Sequence, residues 1–104
     1  MKPEWKRKWV KALRSGEYKQ GHWQLKNRDE YCCLGVLCDI YQAGHWEGTE
    51  FIYKRDLATA FLPGKLSEQL AITAKQESDL AHMNDSGGYD MDFNKIADYI
   101  EENL

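Results

Sequence analysis

The sequence predicts an α+β fold, mainly helical: about four helices around a buried central helix, with a small β-hairpin or sheet. Three observations carry that expectation. Apolar residues recur at helical spacing near both ends of the chain. The run Tyr31–Tyr41 is apolar nearly all round, and two short stretches, around Trp23 and Phe51, are β-prone. A length of 104 residues leaves room for one domain, 1–104, with one core. Hydrophobic residues at 42% and aromatics at 12% set the chain apart from a disordered one.

Pro3 suits a helix start, and Trp5, Trp9, Ala12 and Leu13 follow at i, i+4, i+7 and i+8. Ser15-Gly16 supplies the stop. Lys6, Arg7, Lys8, Lys11 and Arg14 fill the rest of the circumference, so the first helix is basic and anchored by two tryptophans. It is short for a membrane-surface helix, and core packing is the expected role. Residues 17–28 are polar with isolated aromatics. His22, Gln24 and Lys26 alternate with Trp23 and Leu25, which predicts a short strand, closed by a turn at Asn27-Arg28-Asp29.

Asp29 is the expected N-cap of a central helix over 30–43, stopped at Gly44. Asp39 is its only charge from Tyr31 to Tyr41, as a buried helix requires. Gly35 marks close approach by another element. A buried strand over 32–37 is the alternative, and length favours the helix. Thr49, Phe51, Ile52 and Tyr53 form a second β-prone run, expected to pair with the strand near Trp23. Leu57–Leu62 reads as a brief apolar turn ended by Pro63-Gly64, and Leu66–Ala71 as a short helix. Thr73 and Gln76 have the capping-box spacing and start a helix carrying Leu80, Ala81 and Met83 inward. The breaker cluster Asn84-Asp85-Ser86-Gly87-Gly88 ends it. Asp92 caps a last helix with Phe93, Ile96, Ala97, Ile100 and Leu104 on one face.

The formal charge of −3 conceals an asymmetry. Residues 1–28 carry nine Lys/Arg against Glu4 and Glu17, a net +7. Residues 29–104 carry five basic and fifteen acidic residues, a net −10. Either the basic front packs beside the acidic remainder, within one molecule or between subunits, or it meets a phosphate-bearing ligand. The acidic remainder would repel a long nucleic acid, whereas a compact anion could meet the patch alone. No apolar stretch is long enough to span a bilayer and no signal peptide opens the chain, so no membrane partner and a cytoplasmic location are expected.

Few residues invite catalysis. Cys32, Cys33 and Cys38 match no standard zinc spacing, and their apolar flanks predict buried, reduced thiols. His22, His45 and His82 are scattered. The oxygen-rich loop from Asn84 to Asp92 fails the EF-hand pattern, because position twelve counted from Asp85 is Ile96. There is no Walker A, no dinucleotide-binding glycine pattern and no nucleophile elbow. No catalytic residue, metal or cofactor is assigned.

The blocks Leu13–Gln20, Tyr31–Tyr41 with its Cys-Cys-Leu-Gly-Val-Leu-Cys-Asp, Leu80–Gly87 with its Met-Asn-Asp, and Ile96–Ile100 resemble a family of small uncharacterised proteins of tailed phages and prophages. The segment 44–62 carries no matching block. The resemblance implies a host-cell setting in which small proteins act by binding. The expected function is therefore a non-enzymatic phage protein that captures a small anionic, nucleotide-derived ligand, such as a host-defence signal, as a homo-oligomer. Lys19 is the expected phosphate contact, Trp23 the stacking ring, and Asn84 and Asp85 the polar contacts for base or ribose. Two alternatives stand beside it: a protein–protein inhibitor of a host enzyme, and a small nucleotide hydrolase with Asp85 or His82 as base.

Overall fold

In the computed structural model, which describes residues 1–85 and 91–104, helix α1 spans Pro3–Arg14. Its apolar face turns inward, with Trp9, Val10 and Leu13 buried. The Trp9 indole donates to the Cys33 carbonyl at 2.9 Å, which satisfies the polar end of a fully enclosed ring. Trp5 packs on Tyr41 with ring centroids 4.7 Å apart. Both tryptophans are thus spent on the interior. Gly16 follows at φ +78°, the left-handed residue that ends the helix.

The next residues correct two expectations. Trp23 has φ +72°, so residues 22–26 cannot alternate across a sheet as a strand would. The extended residues lie on either side of it, as β1 (Lys19–Gln20) and β2 (Lys26–Asn27). Glu30–Tyr31 forms β3, parallel to β1 and antiparallel to β2. Asp29 consequently sits in the β2–β3 turn beside Arg28, whose φ is +60°, and does not cap the helix. The cap is Cys32, whose Sγ accepts from the Gly35 amide at 3.4 Å.

Helix α2 runs Cys33–Ile40, shorter than 30–43, and every residue from Cys33 to Cys38 is buried. It is the central buried helix that the apolar run demands. A second sheet follows, the antiparallel meander of β4 (His45–Glu47), β5 (Glu50–Tyr53) and β6 (Asp56–Ala58). Its registers pair Trp46 with Phe51 and Phe51 with Ala58, and not with residues near Trp23 as expected. The two regions meet instead where the Leu25 amide donates to the Thr59 carbonyl at 2.6 Å.

Three helices complete the chain: α3 (Gly64–Leu70), α4 (Ala74–Asp85) and α5 (Phe93–Asn103). The capping box forms in both directions, Gln76 N to Thr73 Oγ1 at 3.1 Å and Thr73 N to Gln76 Oε1 at 2.9 Å. Asp92 caps α5 by accepting from the Lys95 amide at 2.9 Å. Asn84 and Asp85 belong to the last turn of α4, while Ser86, Gly87 and Gly88 of the breaker cluster lie outside the described residues. No helix among the described residues is long and apolar enough to cross a membrane.

One buried carboxylate has no warning in the sequence. Glu77 is 7% exposed and accepts from the Leu62 amide at 2.8 Å and the Ser67 hydroxyl at 2.7 Å, tying α4 to the start of α3. Glu77→Ala leaves both donors unpaired and is expected to cost about 2–3 kcal/mol in urea denaturation. Glu77→Gln, which keeps an acceptor, is expected to cost less.

Candidate functional site

The site starts from Asn84, a polar residue only 3% exposed. Its side-chain oxygen accepts from Gln20 Nε2 at 3.0 Å and from the Cys33 amide at 3.1 Å. Its nitrogen donates to the Gly21 carbonyl at 2.9 Å and to Asp85 Oδ1 at 2.7 Å. An amide side chain has two acceptor positions and two donor hydrogens, so Asn84 is fully engaged. It joins α4, the start of α2 and the segment after β1. In this arrangement it supports a site from behind and offers a ligand nothing further.

Asp85 carries that order outward. Its Oδ1 also accepts from the Trp23 amide at 3.0 Å, which holds the left-handed backbone of Trp23 in place. The Trp23 ring is 70% exposed. Together with Ala60, Phe61, Ser78, Ala81, His82 and Asp85 it lines a cleft of about 470 Å³. Phe61 is itself half-exposed at 50%. The cleft therefore has two large rings, an imidazole and a carboxylate in its walls, and among its described lining residues no lysine or arginine.

Of the four residues expected to bind, the structure brings Trp23, Asn84 and Asp85 together and leaves Lys19 out. Lys19 pairs with Glu30 at 3.4 Å, its direct neighbour in the β1–β3 register, and does not line the cleft. The rest of the basic front divides. Arg14 bonds Asp98 at 2.6 Å and Glu101 at 3.2 Å, Lys8 pairs with Glu4, and Lys26 lies over the Tyr31 and Trp46 rings at 5.5 and 5.2 Å. Lys6, Arg7 and Lys11 form no ion pair among the described residues and line a separate groove. Self-complementarity accounts for part of the +7, and three of the cations it leaves over, Lys6, Arg7 and Lys11, gather on one groove.

Phe61 and Ser78 are not singled out by the sequence. Phe61 sits in an apolar hexapeptide just before Pro63, where a ring reads as core. The only signal is its place at a breaker, where chain direction changes and a side chain is easily left outside.

The three cysteines are buried and free. Burial pushes the Cys32 thiol up to about 11 and raises those of Cys33 and Cys38 well above the usual thiol range. All three stay protonated at neutral pH. Native protein at pH 8 is expected to leave a thiol reagent such as DTNB unreacted over minutes, with colour appearing when urea is added. Among the described residues no His, Cys, Asp and Glu side chains group as a metal site.

A family model described as a domain of unknown function (DUF8296) matches residues 1–61. The match takes in α1, both sheets, Trp23 and Phe61, and ends before α3. No curated protein and no solved structure matches the chain.

Proposed function

The chain belongs to that family, and from this premise we propose that it is a non-enzymatic protein that captures a compact anionic ligand of the nucleotide class, its planar ring held between Trp23 and Phe61. The single observation that carries the proposal is the state of Trp23. A non-glycine residue at positive φ costs on the order of 1 kcal/mol. An indole left in water forgoes a further burial energy of about 2–3 kcal/mol. Both penalties fall on one residue, and Asp85, backed by Asn84, holds it there. A ring kept exposed in this way is preorganised for a flat partner.

A nucleobase fits such a cleft because every base has a π face for the rings and edge donors for a carboxylate. With no lysine or arginine in the lining, the ring is what the cleft reads, and the phosphate stays at its open mouth. The resemblance to phage proteins makes a host-defence signal a fitting source for the ligand.

Two measurements test the proposal. Mass spectrometry of whatever leaves the purified protein on denaturation is expected to show a nucleotide-class mass. Chromatography of that ligand after incubation with fresh protein is expected to return it unchanged, whereas turnover would move His82 and Asp85 into catalytic roles. Trp23→Gly removes the ring and the backbone strain together. It is expected to leave stability within about 1 kcal/mol of the parent and to weaken binding by roughly 10- to 100-fold, the worth of one stacked base. Calorimetric titration and a thermal melt check both halves.

A further inference from the structure

The outer face of α1 is built differently from the aromatic cleft. Pro3, Arg7, Val10 and Arg14 recur at steps of four, three and four residues, which places them in one line along the helix. Lys6 and Lys11 flank that line. With Ser15 and with Glu101 of α5, these residues line an open groove of about 730 Å³. At 1.5 Å per residue the groove runs ~18 Å from Pro3 to Ser15, about three helical turns.

Its floor is apolar and its rims are cationic. Val10, Pro3 and the aliphatic stems of the long side chains make the floor. Lys6, Arg7 and Lys11, which line the groove, form no ion pair among the described residues. Arg14 is fixed on Asp98 and Glu101, which holds the α5 wall against the end of α1.

We propose that this groove docks an acidic amphipathic helix of a partner protein. Length, apolar floor and charged rims are what the helix-in-groove mode requires: apolar anchors at i, i+3 and i+7 on the floor, carboxylates toward the rims. A phosphate backbone would match the rims and waste the floor, and the net −10 of residues 29–104 would oppose a long polyanion. A small anion would use one end of a groove three turns long. A second copy of the chain is a poorer occupant, because the acidic residues of α5 beside the groove, Asp98 and Glu101, are already spent on Arg14.

Fluorescence anisotropy on the full chain tests this, with a fluorescein-labelled amphipathic Leu/Glu helical peptide of about five turns as the probe. Saturable binding is expected, weakening several-fold from low to physiological salt. Arg7→Glu with Lys11→Glu is expected to lose at least about tenfold in affinity while the thermal melt stays unchanged. Should the double reversal unfold the chain, Arg7→Gln with Lys11→Gln serves, and a smaller loss in the same direction is expected. Equal affinity for an all-Glu peptide or for inorganic triphosphate would overturn the proposal, since the floor would then contribute nothing. So would a chain that sediments as a dimer and becomes monomeric in the double variant, which would make the occupant a second copy. Absence of binding to the Leu/Glu peptide also overturns it.

Discussion

Gly35→Ala is expected to be among the most damaging single substitutions in the chain, costing about 4 kcal/mol or more and abolishing soluble expression if the parent is only marginally stable. A Cβ at position 35 would lie 1.7 Å from the Leu25 carbonyl oxygen and 2.6 Å from its carbon. Both are backbone atoms, so no rotamer relieves the clash. Leu25 cannot retreat either: its amide donates to Thr59, its carbonyl accepts from the Cys32 amide at 3.2 Å, and its side chain is fully enclosed. Helix propensity argues the opposite sign, because alanine is favoured over glycine inside a helix by about 1 kcal/mol. The two effects differ in direction as well as size. A urea midpoint that rose in Gly35→Ala would mean that α2 stands farther from Leu25 than the structure has it.

Asn84→Ala is expected to cost about 3–4 kcal/mol, because it strands the Cys33 amide and the Gly21 carbonyl in the interior. Its second consequence concerns the cleft. With Asn84 gone, Asp85 loses the 2.7 Å donor that positions its Oδ1, and Trp23 loses the second link of its tether. Ligand affinity is therefore expected to fall in a protein that still folds, for instance when the melt is compensated by lower temperature. Asn84→Asp sharpens the test: it keeps the shape, removes both donated bonds and sets a carboxylate against Asp85. A variant that lost stability but bound as the parent does would separate Asn84 from the site.

Much of the fold was legible in local chemistry. The Thr73/Gln76 box, the Asp92 cap, the Ser15-Gly16 stop and the close approach at Gly35 all follow from rules that need only neighbouring residues. The misreadings share a cause, which is backbone or pairing set by distant partners. Trp23 breaks an alternating pattern by taking a left-handed conformation that Asp85, sixty-two positions away, stabilises. Asp29 looks like a helix cap, but the β2–β3 hairpin claims it, and a cysteine sulfur caps α2 instead. Lys19 looks free until β1 lies parallel to β3 and delivers Glu30 to it. The site was half visible. Trp23 and Asp85 stood out as an exposed-type ring and a loop carboxylate, whereas Phe61 could be joined to them only once three separate segments met at one cleft. Asn84 lies beside that cleft with its side chain wholly engaged by Gln20, Cys33, Gly21 and Asp85, an arrangement that depends on segments far apart in the chain.

The central claim is that the Trp23–Phe61 cleft takes the planar ring of a nucleotide-class ligand. Isothermal calorimetry of the full chain against cyclic and linear nucleotides, run in parallel on Trp23→Gly, tests it most directly. Saturable heat with at least one nucleotide, lost in a variant whose melt is unchanged, is the expected result. No heat with any member of the panel, or the same heat in parent and variant, would contradict it.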